Sequence, residues 1–186
     1  MRHHYIASQW VPYGVSEVFA FFANPQNLAP LMPSWQQVRM EGLLVVDPPL
    51  RPPSLPGPAP KTIVAGAGTR MTIRFRPVPL VPIRLAWDAK ITEFAWNDHF
   101  CDEQERRGPF AYWKHCHQVK EELREGKAGT LITDQLTYEL PLGLLGEVAH
   151  ALGAAAQIRS LFRYRQKRLL ELLASDPRQP GRPQST

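Results

Sequence analysis

The order of its segments constrains the fold of this chain more than any other feature of the sequence. Segments that alternate, or that are rich in β-branched and aromatic residues, follow one another and are separated mostly by Gly, Pro or Asn-Asp. This pattern is typical of strands joined by short turns. The predicted strands are residues 4–12, 38–46, 69–76, 83–95, 99–106, 113–123 and 130–140. Their succession favours an antiparallel meander.

Helical segments lie near the beginning and at the end of this succession. Ser16 is predicted to cap a short helix that carries Phe19 and Phe22, and residues 27–32 are predicted to form a second short helix. Residues 144–174 form one amphipathic segment that spans roughly 45 Å as a helix. Its predicted apolar face consists of Leu145, Val148, Leu152, Ala155, Phe162, Leu169 and Leu173.

A sheet with one apolar face and a helix with one apolar stripe must cover each other. We therefore predict an α+β fold in which a curved, seven-stranded antiparallel sheet surrounds a long C-terminal helix, with two short helices after strand 1. Residues 1–174 are predicted to form this single domain. A strongly curved sheet leaves space beside the helix, so this space is a candidate cavity.

The composition is that of a globular protein that can bury a core. Of the 186 residues, 44% are hydrophobic and 21% are charged. The longest weakly polar stretch, residues 140–156, contains Glu147 and His150 and is too short to span a membrane. The first residues lack the apolar core of a signal peptide, which favours a cytoplasmic location. In that compartment Cys101 and Cys116 are expected to be free thiols.

Proline is concentrated in one segment. The chain contains 19 prolines, and residues 47–61 hold a dense group of them. Proline fixes φ and donates no backbone hydrogen bond, so we predict a stiff, exposed loop inserted between two strands. A binding site for a proline-recognising partner is the alternative. Residues 175–186 are predicted to be a disordered tail.

The net charge of +5 is concentrated in the predicted C-terminal helix. One stretch without an acidic residue contains Arg159, Arg163, Arg165, Lys167 and Arg168. These residues could bind phosphate, nucleic acid or an anionic membrane. We favour the alternative, a solvated helix face whose cations meet the negative end of the helix dipole. The tryptophans do not alternate with basic residues on a strand, so we expect no nucleic-acid partner.

One hairpin carries the residues with the richest chemistry. Alternate side chains of a strand share a face, and a Gly-Pro loop joins the two predicted strands. The centre of this loop sets Asp102 opposite His115 and Phe100 opposite His117. The two cysteines lie opposite each other on the other face, where oxidation would join them. Directly opposed side chains lie about 5 Å apart. A slip of one residue in the register would change these pairs.

Three interpretations of Asp102 and His115 stay open. A carboxylate beside an imidazole can transfer protons near neutral pH, which makes His115, His117 and Asp102 candidate catalytic residues. The same groups could form a buried polar network that satisfies itself, or recognise a polar group of a ligand. His115 and His117 could also hold a metal together with Asp102 or Asp134. Because Trp113 and Phe100 crowd that face, we expect no metal, and we expect no cofactor.

Several stretches resemble the START/SRPBCC superfamily of helix-grip domains, in a bacterial branch. They are residues 19–28 (FAFFANPQNL), 31–35 (LMPSW), 108–117 (GPFAYWKHCH) and 138–141 (YELP). The resemblance implies a cavity for a lipophilic small molecule between the sheet and the C-terminal helix. Relatives include polyketide cyclases, so a cyclase or dehydratase that uses a His/Asp pair in the same cavity is the alternative. The protein is expected to be a monomer or a weak homodimer.

The predicted cavity-facing residues combine aromatic, aliphatic and polar side chains. They are Trp87, Phe100, Asp102, Gln104, Phe110, Trp113, His115, His117, Asp134, Tyr138, Leu152 and Phe162. We expect these residues to bind the ligand.

Overall fold

A computed structural model describes residues 1–79 and 82–175 of the chain. Its strands are β1 (His3–Val11), β2 (Arg39–Leu44), β3 (Arg70–Phe75), β4 (Leu85–Ala95), β5 (His99–Gln104), β6 (Tyr112–Arg124) and β7 (Lys127–Glu139). Its α-helices are α1 (Val15–Phe22), α2 (Leu28–Leu31), α3 (Leu144–Ala149) and α4 (Ala155–Ser175). The predicted strands and short helices are therefore present, in the predicted order. The predicted tail lies, except for Ser175, outside the described residues.

The strands form one seven-stranded sheet in the order β1-β7-β6-β5-β4-β3-β2, and every neighbouring pair is antiparallel. Apart from the pairing of β1 with β7, each strand pairs with its neighbour in sequence, as expected for a meander. Register shifts between Met40 and Gly42 and between Ile91 and Glu93 mark bulges. Bulges bend and twist a sheet. The α+β architecture with a curved sheet and a C-terminal helix is confirmed.

Two apolar clusters fill the space between the sheet and the helices. In the first, Val18 and Phe19 of α1 pack with Leu169 and Leu173 of α4. The Phe19 ring makes an edge contact with Phe100 of β5. The second cluster lies beside it and consists of Trp113, Leu136, Tyr138, Ile158 and Phe162. The concave face of the sheet is therefore the buried face.

The C-terminal helix is not the single regular helix that the sequence predicts. A π-helical turn, His150–Ala154, separates α3 from α4. Phe162 is 1% exposed and packs in the core, whereas Leu152 is 83% exposed. A π-helical turn accommodates an extra residue, which rotates the preceding side chains by about 100° around the helix axis. The predicted apolar face is therefore wrong before α4, and Leu145 and Val148 are also exposed.

The cap of α1 also differs from the prediction. Gly14, rather than Ser16, is the N-cap residue, and it makes no side-chain cap. The Ser16 hydroxyl instead donates to the backbone oxygen of Pro56 at 2.9 Å and accepts from the Asn97 side chain at 2.6 Å. Ser16 is therefore used to hold the proline-rich loop rather than to begin the helix.

The proline-rich segment, residues 47–61, runs between β2 and β3 without a helix or strand. The Arg51 guanidinium donates to the backbone oxygens of Leu55, Pro56 and Gly57 within the segment. The Trp96 indole N–H donates to the oxygen of Pro49 at 2.7 Å. The Arg51 contacts hold the segment together, and the Trp96 contact fastens it to the residue that follows β4.

The structure joins Cys101 and Cys116 in a disulfide bond, in place of the two free thiols that the sequence analysis expects. The predicted register is the physical reason. The two residues are directly paired on β5 and β6, with their Cα atoms 4.0 Å apart, so their sulfur atoms meet on one face of the sheet.

Candidate functional site

A pocket of about 100 Å³ lies between the concave face of the sheet, the segment around α2 and the helix α4. Most of its wall is apolar. From the segment around α2 come Phe22, Leu28, Leu31 and Met32, and from α4 come Leu161, Phe162 and Arg165. From the sheet come Met71, Ile73, Trp87, Ala89, Ile91, Phe100, Asp102, Trp113, His115 and His117.

Seven of the residues predicted to face the cavity line this pocket: Trp87, Phe100, Asp102, Trp113, His115, His117 and Phe162. Gln104 and Phe110 instead hold the β5–β6 loop together, since the Gln104 amide donates to the Phe110 oxygen at 2.6 Å. Tyr138 is buried in the second cluster, and its hydroxyl hydrogen-bonds to His150. Leu152, which the sequence places in the cavity wall, points into solvent, because the π-helical turn rotates it away.

The sequence analysis did not identify Arg165 as a pocket residue. It lies three positions after Phe162 on α4, and residues three apart share a helix face. Its guanidinium lies 5.2 Å from the centre of the Phe162 ring. The three-residue separation from Phe162 could have indicated that Arg165 lines the pocket, because Phe162 itself is predicted to face the cavity. One member of the basic stretch therefore lies in the wall of the pocket.

Three neighbouring strands bring the polar groups together. Asp102 pairs with His115 and Phe100 with His117, so the predicted register is confirmed. The next pairing sets His117 opposite Asp134. The tight turn at Glu125 and Gly126 between β6 and β7 fixes this second register, as the Gly-Pro loop fixes the first. The sequence alone could therefore have placed Asp134 opposite His117.

Asp134 contacts both imidazoles. Its Oδ1 atom lies 3.0 Å from His115 Nε2 and 2.7 Å from His117 Nδ1. The second contact is short but poorly aligned, so His117 Nδ1 is buried without a well-formed hydrogen bond. On the other side, Asp102 Oδ1 lies 3.6 Å from His115 Nδ1, and Asp102 Oδ2 accepts from the Trp113 indole N–H at 3.2 Å. The four groups form one continuous network.

The network carries both signs of charge. Burial alone raises the pKa of the Asp102 carboxyl, but the hydrogen bond and charge of His115 outweigh it, and the net shift is downward. The pKa of Asp134 is also lowered against burial, by the charges and hydrogen bonds of the two histidines. Burial lowers the pKa of His115, but the two carboxylates raise it overall. For His117, burial and the nearby charge of His115 lower the pKa to about 4.

These shifts favour the charged forms of the two carboxyls and of His115, and the neutral form of His117. His115 is buried between the carboxylates, which compensate its charge. His117 packs between the rings of Phe22 and Phe100, with centroid distances of 4.6 and 4.8 Å. The arrangement can recognise a polar group of a molecule that otherwise makes apolar contacts.

The chain has the helix-grip fold of the START/SRPBCC superfamily, which confirms the resemblance at the level of the fold. TTHA0849 from Thermus thermophilus is similar at a TM-score of 0.57 and 20% identity, over 94% of this chain and 100% of that chain. Ginseng major latex-like protein 151 from Panax ginseng is similar at a TM-score of 0.58 and 8% identity, over 92% and 97% of the two chains.

A third solved structure, norcoclaurine synthase from Thalictrum flavum, is similar at a TM-score of 0.58 and 12% identity, over 95% of this chain and 88% of that chain. No protein-family model and no curated protein sequence matches the chain. At these identities the likeness concerns the fold. Within the described residues, every helix is too short or too polar to cross a membrane.

Proposed function

We propose that this protein binds a lipophilic small molecule in the pocket between the sheet and α4. The observation that carries the proposal is the pocket wall, in which apolar side chains surround a few converging polar groups. Pockets of this composition are typical of small-molecule sites. Similar folds in a latex-like protein and in a synthase agree with a ligand-binding role.

The volume of the pocket limits the size of the part of the ligand that it can enclose. At about 100 Å³ it is smaller than a dry cavity of roughly 150 Å³ that binds benzene. The pocket therefore encloses a short branched chain or the edge of a ring. Leu28, Met32 and Leu161 are partly exposed among the lining residues, so they mark the mouth. The remainder of a larger ligand would lie against them.

The charge at the mouth indicates the polar end of the ligand. Arg165 lines the pocket and is half-buried, and its guanidinium is the lining group that carries a fixed positive charge. A carboxylate, phenolate or similar acidic group would pair with it while the apolar part of the ligand enters the pocket. The proposed ligand is therefore a compact lipophilic acid.

A pair of matched variants tests this proposal. Ala89 lines the pocket, while Ala86 lies three positions earlier on β4 and is absent from its wall. Ala89→Leu is expected to lower the affinity for an anionic aromatic fluorophore at least tenfold, because the added side chain occupies the pocket. Ala86→Leu adds the same group elsewhere and is expected to leave the affinity unchanged. Equal affinities in both variants would contradict the site.

Retained ligand can be identified directly. Native mass spectrometry of freshly purified protein, followed by denaturing extraction, is expected to show an additional mass of lipophilic character. Loss of that mass in Ala89→Leu and its retention in Ala86→Leu would assign it to the pocket. Retention in both variants would place it elsewhere on the protein.

A second candidate function is acid–base catalysis in the same pocket, as in a cyclase or dehydratase that acts on a polyketide-like carbonyl compound. The observation that favours it is that Asp102, His115 and His117 all line the pocket. A carboxylate and an imidazole at such positions can move a proton from carbon to oxygen of a bound ketone. Turnover of a polyketone that survives both His115→Ala and Asp102→Ala would exclude this role.

A further inference from the structure

The pocket wall also contains a set of metal-ligating side chains. Asp102, His115 and His117 each offer one ligand atom, and these atoms lie within 4.8 Å of one another. Neighbouring strands hold the three residues, with Asp102 on β5 and both histidines on β6. A rigid sheet therefore fixes their positions.

Other contacts determine which atoms stay available to an ion. His115 Nε2 and His117 Nδ1 both face the Oδ1 atom of Asp134. Asp102 Oδ2 accepts from the Trp113 indole. The atoms left are His115 Nδ1, Asp102 Oδ1 and the Nε2 atom of His117.

The spacing between two of these atoms suits an ion better than a hydrogen bond. His115 Nδ1 and Asp102 Oδ1 are 3.6 Å apart, beyond the usual length of a charge-assisted hydrogen bond of about 2.8 Å. Two ligands that are each about 2.1 Å from one ion are separated by roughly 3.0–3.5 Å. A small closing movement would bring both atoms to an ion between them.

Asp134 occupies the position of a supporting carboxylate. A histidine that binds a metal usually directs its second ring nitrogen to a carboxylate, which fixes the orientation of the ring. Asp134 hydrogen-bonds to His115 Nε2, its Oδ1 atom also lies 2.7 Å from His117 Nδ1, and it is absent from the pocket wall. The aromatic side chains that argued against a metal contact the proposed ligands: the Trp113 indole donates to Asp102, and the Phe100 ring packs beside His117.

We propose that Asp102, His115 and His117 bind a divalent transition-metal ion at the wall of the pocket, with Asp134 as a positioning residue. Two imidazoles and one carboxylate suit zinc, iron, cobalt or nickel, whereas magnesium and calcium prefer oxygen ligands. Three protein ligands leave at least one coordination position open toward the pocket. A water molecule or an oxygen atom of a bound ligand would occupy it.

The test is a titration of the chelator-treated full chain with Co²⁺, followed by visible absorption, and with Zn²⁺, followed by calorimetry. One ion per chain is expected, with the absorption bands of imidazole-bound cobalt. Asp102→Ala, His115→Ala and His117→Ala are each expected to weaken binding at least a hundredfold. The matched control is His99→Ala on β5, which is expected to leave binding unchanged. Asp134→Asn should weaken binding about 10–100-fold and keep one ion per chain.

X-ray absorption at the zinc edge of the unmodified protein covers the case in which a variant fails to fold. Two imidazole ligands are expected, and fewer than two would overturn the proposal. It would also be overturned if the unmodified chain bound neither ion, or if binding were equal in the unmodified chain and the folded His117→Ala variant. Fluorophore binding by the chelated protein is a separate readout, so failure of the metal site and failure of the lipophilic pocket are distinguishable.

Discussion

The hydroxyl of Tyr138 lies 2.8 Å from Nε2 of His150, so the last strand of the sheet is bonded to the π-helical turn. The His150 ring also stacks on His3 of β1 at a centroid distance of 3.5 Å. These contacts hold the start of the C-terminal helix against the first and last strands. The irregular turn is therefore anchored from the sheet.

Removing the Tyr138 hydroxyl tests this anchor. Tyr138→Phe keeps the buried ring and is expected to lower the free energy of unfolding by about 1 kcal/mol, because His150 loses its partner. Hydrogen exchange of residues 144–154 is expected to accelerate, while exchange of β6 stays unchanged. If exchange of residues 144–154 is unaffected, the hydrogen bond does not hold the turn.

The two halves of the C-terminal helix are expected to respond differently to truncation. Phe162→Ala removes a fully buried ring and is expected to cost about 3–5 kcal/mol of unfolding free energy. Leu152→Ala removes an exposed side chain and is expected to change it by less than about 0.5 kcal/mol. Urea denaturation of the two variants measures both. Similar losses would mean that Leu152 packs in the protein after all.

The ion pair between Asp88 and Arg107 gives a pH-dependent contribution to stability. Hydrogen bonds from Arg107, at 2.8 and 3.0 Å, lower the pKa of Asp88 to about 2. A carboxyl with a lowered pKa stabilises the folded state above its unfolded value of about 3.9 and loses this effect as the pH falls toward 2. Because Arg107 is largely exposed, solvent screens the ion pair, and we expect a small coupling free energy between the two residues.

A double-mutant cycle with Asp88→Asn and Arg107→Ala measures this coupling by urea denaturation. It is expected to be constant from pH 7 to about pH 5 and to decrease in more acidic solution. Arg106→Ala, which removes the neighbouring exposed arginine, is the control and should show no coupling to Asp88. A coupling that grows as the pH falls would contradict the assignment.

Because of the disulfide, we expect the stability of the folded protein to depend on its redox state. Cys101 and Cys116 are 15 positions apart, and closing a loop of that length stabilises a folded protein by about 3 kcal/mol. Reduction is therefore expected to lower the free energy of unfolding by up to about 3 kcal/mol. The double variant Cys101→Ser/Cys116→Ser should be insensitive to reductant. Equal stability of the oxidised and reduced protein would show that the bond constrains nothing.

Local patterns in the sequence were sufficient for the strands and for one register. The alternation of side chains and the Gly-Pro loop determine that Asp102 faces His115. The register is the one free parameter of an antiparallel hairpin, and the position of the loop fixes it. The pocket was predicted from the curvature of the sheet and the resemblance. In its aromatic wall, Trp113 was predicted from the alternation of side chains along its strand, and Phe162 from the helical spacing of apolar residues.

Contacts between distant segments account for the irregular C-terminal helix, which the sequence analysis missed. The π-helical turn depends on His150 meeting Tyr138 and His3, which helical periodicity does not encode. Asp134 became the centre of the polar network only when the β6–β7 register was known. The 3.6 Å distance between Asp102 Oδ1 and His115 Nδ1 could not be predicted from the register, which fixes only the pairing of the two residues.

The π-helical turn also separates the part of the C-terminal helix that does not line the pocket from the part that does. Because it directs the leucines of α3 away from the sheet, α4 supplies all of the pocket wall that comes from the C-terminal helix. Substitutions at Leu144, Leu145 or Leu152 can therefore accumulate without changing what the pocket accepts. Substitutions at Leu161, Phe162 or Arg165 change the wall of the pocket and therefore change what it accepts. Among homologues, differences in ligand preference should therefore follow substitutions after residues 150–154 and should be independent of substitutions before them.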